Sequence, residues 1–101
     1  MGKYTIKFSS NNPGYPGIYL TNNNKRLEFD TLEEAKRNAA LYSKIIDDLV
    51  SEYYYGNTNV LNNEALHNIL VAAVVSTNIK DGVIKKHYHL NACISDKRVC
   101  E

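Results

Sequence analysis

Two histidines and two cysteines crowd the end of the 101-residue chain, in the run KKHYHLNACISDKRVC at residues 85–100. Such side chains bind metals or act as nucleophile and base. A zinc site needs three or four of them converging at about 2–2.3 Å from one ion, in tetrahedral geometry. His87 and His89 can share one face of a strand, and Cys93 can return after a turn, but Cys100 then needs a second reversal. The spacing H-x-H-x3-C-x6-C matches neither a zinc finger nor a CxxC knuckle. We therefore assign no metal, and read these residues as surface histidines and incidental thiols. A nucleophile pair of Cys93 or Cys100 with His67, His87 or His89 would further need an orienting residue and donors for a developing oxyanion. No glycine-rich nucleophile turn accompanies them. P-loop, HExxH and dinucleotide motifs are missing too. Glu33-Glu34 and Asp47-Asp48 are adjacent pairs that splay around a helix rather than converge. The expectation is a non-enzymatic protein with no catalytic residues and no cofactor.

Two residue sets suit binding instead. Lys25, Arg26, Lys80, Lys85 and Lys86, with Lys97 and Arg98 beyond them and Tyr88 and His87 beside them, offer a phosphate-contacting edge for RNA or DNA. Asp81, Asp96 and Glu101 dilute its charge, and Lys25 and Arg26 join it only if the fold brings two hairpins together. The second set is aromatic. Tyr53, Tyr54 and Tyr55 are consecutive, so on a helix they point in three directions and cannot all enter one core stripe. Tyr54 or Tyr55, with Tyr15 and Tyr19 nearer the front of the chain, are the candidate protein-contact residues, since exposed tyrosines are enriched at binding hot spots.

Positioning these groups requires a fold, and composition supports one domain spanning residues 1–101. Apolar residues make up 44% and charged residues 23%, close to globular averages. Twelve basic against eleven acidic residues leave a formal charge of +1, so attraction of a polyanion requires a local patch. The opening MGKYTIKF has no signal-peptide pattern, and the longest apolar run, ILVAAVV, is far short of the roughly 18 residues of a membrane span. A cytoplasmic protein with no membrane partner is the expectation, in which the cysteines are free thiols.

Period-two alternation at residues 3–8 predicts a strand with Tyr4, Ile6 and Phe8 on one side. The loop SSNNPGYPG breaks it, and GIYL and KRLEF around TNNN predict two further short strands in a meander. From DTLEEAKRNAALYSKIIDDLVSEYYYG we predict a long helix. Thr31 and Glu34 have capping-box spacing, and Gly56 is a left-handed stop. Leu32, Ala35, Ala39, Tyr42, Ile46, Leu49 and Tyr53 form its apolar stripe, with Leu41 and Ile45 broadening it. In NTNVLNNEALHNILVAAVVSTN the β-branched residues favour a short helix at 63–69 and a central strand at 70–79, with a helix continuing to about 76 as the competitor. Asp81-Gly82 predicts a two-residue hairpin turn. In the strand beyond it Ile84, Tyr88 and Leu90 share one side, Lys85, His87, His89 and Asn91 the other, and Lys86 interrupts the apolar face. The fold class is therefore α+β: an antiparallel sheet of about five strands covered on one face by a long amphipathic helix.

Thirteen asparagines, abundant lysine and an early strand meander feeding the F-D-T-L-E-E-A helix give the chain a general type. It resembles the small accessory and inhibitor proteins of phages and mobile elements of AT-rich bacteria. That resemblance implies a non-catalytic module that binds and blocks a host protein, such as a defence nuclease, in the host cytoplasm. A nucleic-acid-binding module is the alternative, and a homodimer a third reading.

Overall fold

The computed structural model describes residues 3–12, 14, 17–22 and 25–95. Tyr15, Lys97, Arg98 and Cys100 lie outside the described residues. The fold is α+β. Strands β1 (Tyr4–Ser10), β2 (Gly17–Tyr19) and β7 (Tyr88–Ile94) form an antiparallel sheet in the order β2-β1-β7. Strands β5 (Thr77–Lys80) and β6 (Val83–Lys86) form a two-stranded hairpin, and β3 (Thr21–Asn22) pairs with β4 (Lys25–Arg26) in a ladder of two residue pairs. Helix α1 (Leu32–Tyr54) and helix α2 (His67–Val75) complete the chain, with a 3-10 turn at Thr58–Asn62 between them.

Helix α1 begins where its capping box places it: Thr31 Oγ1 accepts the Glu34 N–H at 3.1 Å, and the two side chains meet at 3.3 Å. Gly56, at φ +110, lets the chain turn away after Tyr55, and the Asn57 N–H closes on Glu52 O. The 23-residue rod, about 34 Å long at the standard rise, runs antiparallel to β7 and buries Ala35, Ala39, Ile46 and Val50. Leu41 and Ile45 do not broaden the buried stripe as expected. They stay 55% and 38% exposed, because the flank that meets the strand carries Asp47 and Ser51 instead.

Three departures from the expected architecture have physical causes. First, residues 70–75 belong to α2, not to a central strand. Ile69, Leu70, Ala72 and Ala73 are all buried, so this short helix is apolar nearly all round and has no amphipathic period to reveal it. The β-branched Val71, Val74 and Val75 are tolerated because tertiary burial outweighs their weak propensity. Second, the strands divide into the three-stranded sheet and the β5–β6 hairpin, with β3–β4 as a small annex, instead of one five-stranded sheet. Third, β6 and β7 are successive parts of one extended segment that changes partner at His87. The His87 N–H donates to Ser76 O at 2.8 Å, and its C=O accepts from the Asn11 N–H at 3.2 Å. Both groups of an extended residue point to the same side, so β1 and β5 lie end to end along the same edge of residues 83–94. Asn12 Nδ2, donating to Val75 O, ties that junction.

The core lies between the sheet and the two helices. Ile6, Phe8 and Leu90 from the strands meet Ile46, Val50, Leu70 and Ala73 from the helices. Phe8 stacks on Tyr88 with ring centroids 5.4 Å apart.

Candidate binding surface

Two surfaces carry the residues singled out from the sequence. One is the outer face of the three-stranded sheet, away from α1. Strand alternation puts Ile6, Phe8 and Leu90 inward, so Lys7, Ser9, His89 and Asn91 project outward, in rows fixed by the pairs Lys7↔Tyr19, Lys7↔Asn91 and Ser9↔His89. Tyr19, half-buried, is the aromatic of this face. The Arg26 guanidinium lies 3.9 Å from its ring centre and the Lys7 ammonium 5.8 Å away. Arg26 also donates to Ser95 O at 2.8 Å, which docks the β3–β4 annex against the far end of β7. Strands β1, β2, β6 and β7 contain no Asp or Glu.

The other surface is the β5–β6 hairpin, which projects as an arm beyond the end of α1. Asp81 at φ +54 and Gly82 at φ +76 make its two-residue turn, the geometry expected of this dipeptide. Its base is clamped. Tyr54 Oη donates to Val74 O at 2.8 Å and reaches Thr77 O at 3.2 Å, Thr77 Oγ1 donates to Ala73 O, and Lys86 Nζ donates to Ser51 Oγ at 3.2 Å. One step on, Tyr88 Oη donates to Asp47 Oδ1 at 2.6 Å. Burial first, and the neighbouring Asp47 carboxylate second, push the Tyr88 hydroxyl well above the ordinary tyrosine range. Lys86, which interrupts an apolar face in the sequence, is thus an inward-facing lysine with an acceptor on α1.

Beyond the clamp the arm has little support. Lys80 and Val83 sit three pairs past Thr77, about 10 Å further out at the strand rise. Among the described elements, β6 packs extensively only on β5. Ile79 and Val83 remain 53% and 55% exposed, and Lys80 and Lys85 are exposed beside them. Tyr55, at the end of α1 next to the clamp, is 83% exposed, and Val75 at the end of α2 is also exposed.

The structure thus sorts the candidates. Tyr55 is displayed, Tyr54 is half-buried and holds the arm, and Tyr19 is half-buried beneath Arg26. Among the cations, Lys25, Lys80 and Lys85 are exposed, while Arg26 and Lys86 donate to fixed acceptors. The two hairpins stand at opposite ends of β7, seven residues or about 23 Å apart, with Lys7 and His89 on the face between them. Sequence reasoning missed Ile79 and Val83. Their signal was Ile and Val set beside Lys on both sides of a DG turn, which fits a half-buried strand equally well.

A cleft of about 760 Å3 opens between β2 and the start of α2, with Tyr42 of α1 in its wall. Among the described residues, Glu64 is the one charged group in its lining. His67, at the start of α2, has Nδ1 2.8 Å from Leu61 O. Among the described residues no group of three or more His, Cys, Asp or Glu side chains is placed to hold a metal ion, and no helix is long and apolar enough to cross a membrane. No protein-family model matches the chain, and no curated protein or solved structure matches it either.

Proposed function

We propose that this protein is a non-catalytic binding module whose β5–β6 arm, with Tyr55 at its root, docks onto a host protein. One observation carries the reading: Ile79 and Val83 are half-exposed on a hairpin that projects past the core. A two-stranded hairpin is marginally stable in water by itself, and apolar side chains at its tip add nothing to the fold's own core. Covered by a partner, they contribute at the usual rate for buried apolar area, about 25 cal/mol per Å2. Val83 shares one face of the hairpin with Lys80 and Lys85, which favour an acidic partner surface, and Ile79 is displayed on the other face beside Ile84. The resemblance to mobile-element inhibitor proteins makes a host defence nuclease a fitting target, and a stoichiometric blocker needs complementary surface rather than a reaction centre.

Nucleic-acid binding is the second reading, favoured by the run of cations along the carboxylate-poor strands from Lys25 and Arg26 through Lys7 to Lys85. Affinity capture from host extract, with wild-type protein against an Ile79→Asp/Val83→Asp variant, tests both. The expected result is one protein retained in near-stoichiometric amount by the wild type and lost by the variant, with unchanged circular dichroism. Retention of nucleic acid alone, weakening steeply with salt, would replace the first reading by the second.

A further inference from the structure

The segment 83–94 has one edge covered in tandem by β5 and β1. Its opposite edge has no strand beside it among the described residues. The phase of that edge follows from the ladder. Ser95 N–H donates to Lys3 O and His87 C=O accepts from Asn11 N–H, so the odd-numbered residues of β7 turn their backbone groups toward β1. The N–H and C=O groups of Tyr88, Leu90 and Ala92 therefore point away from it, along the open edge. Edges of this length are normally blunted by proline, a bulge or charge. Here Tyr88–Ile94 contains no proline and no lysine, and pairs with β1 without a bulge.

We infer that the open edge of residues 83–94 takes up an extended, acidic segment of the partner protein as an added antiparallel strand. This rests on the protein-binding reading and names the chemistry of its partner. Main-chain hydrogen bonds to Tyr88, Leu90 and Ala92 supply the pairing, as in other strand-addition complexes. Charge selects the segment: residues 83–94 carry Lys85, Lys86, His87 and His89 with no Asp or Glu, so glutamate or aspartate on the side of the incoming strand away from α1 lies beside Lys85 and the two imidazoles, while the side facing Asp47 takes apolar residues. A second copy of the chain is the less suitable occupant, because it brings the same carboxylate-free strand against itself. The arm's exposed Val83 lies at the start of this edge and Ile79 one strand behind it in β5, so one partner that wraps the arm can engage both.

Amide hydrogen exchange followed by NMR reads the edge directly. In the protein alone, Tyr88, Leu90 and Ala92 are expected to exchange fast, and His89 and Asn91, bonded to β1, slowly. A synthetic peptide of about eight alternating glutamate and valine residues should slow the first set by about tenfold or more, and its lysine–valine counterpart should not. Ala92→Pro deletes one outward N–H, leaves the bonds to β1, and should abolish this protection while His89 and Asn91 stay slow, which shows that the variant is folded. Protection of the outward amides in the protein alone would overturn the inference: if independent of concentration, the chain closes its own edge, and if rising with concentration, a second copy does. Equal protection by both peptides, by neither, or by an oligothymidylate instead would overturn it as well. Loss of a captured host protein on Ile79→Asp/Val83→Asp without peptide-induced protection would leave the proposed function standing and remove only the added strand.

Discussion

The β3–β4 and β5–β6 hairpins look alike in the sequence, each a short polar turn between segments mixing lysine or arginine with apolar residues. In the structure they differ in how their side chains are engaged. The described part of the β3–β4 annex is held at several points: the Leu27 N–H donates to Leu20 O, Thr5 Oγ1 donates to Leu27 O, and Arg26 reaches both Ser95 O and the Tyr19 ring. Among the described residues the β5–β6 arm is fastened only at its root, by Tyr54, Thr77 and Lys86, and its outermost pair is exposed. The difference shows that a basic hairpin becomes a binding candidate when its cations and apolar groups lack internal acceptors and cover. By that measure Lys80, Lys85, Ile79 and Val83 qualify and Arg26 does not.

The comparison between a held core and a lightly held arm breaks most visibly under Phe8→Ala. Phe8 is fully buried and stacked on Tyr88, so its truncation should cost about 3–5 kcal/mol in urea unfolding. A loss no larger than that of an arm substitution would erase the distinction. Tyr88→Phe, which removes the bond to Asp47, should cost about 1–2 kcal/mol. It also carries a pH signature. Because the folded Tyr88 hydroxyl lies above its ordinary value of 10.0, the folded state holds a proton that the unfolded state releases. Its contribution to stability is therefore complete below pH 10 and is lost progressively above it. Tyr88→Phe should flatten the alkaline limb of the stability curve, and an unchanged limb would show that burial of Tyr88 is overstated.

Tyr54→Phe sharpens the comparison within one tripeptide. Losing the hydroxyl that bridges Val74 O and Thr77 O should destabilise by about 1 kcal/mol and speed amide exchange in β5 and β6 more than in β1. Tyr55→Phe next to it should do neither. The smallest effect belongs to the arm's tip, where Lys80→Ala and Lys85→Ala should leave stability within about 0.5 kcal/mol while reducing the salt dependence of partner binding.

Much of the frame was legible beforehand because it is written locally. Thr31 with Glu34, Gly56, and Asp81-Gly82 each specify their own backbone geometry. The period of two at Tyr4, Ile6 and Phe8 fixes which face of β1 is buried. What escaped is what only tertiary context decides. Helix α2 is short and buried on several sides, so Leu70, Val71, Val74 and Val75 read as a strand until Ala72 and Ala73 are seen to pack in the core. The changeover at His87 leaves no mark in sequence either, since a strand exchanging one partner for another keeps the same alternation. For the site, the tyrosines and lysines could be named, but whether each finds an acceptor depends on residues as remote as Ser51 for Lys86 and Ser95 for Arg26.

The pairing of β1 with β7 joins residues that lie 78 (Ser10 and Tyr88) to 90 (Tyr4 and Ile94) positions apart, which is a slow class of contact to form. During synthesis β1 must wait until β7 has left the ribosome before its neighbour exists. Fragments lacking β7 should accordingly be recovered as protease-sensitive material.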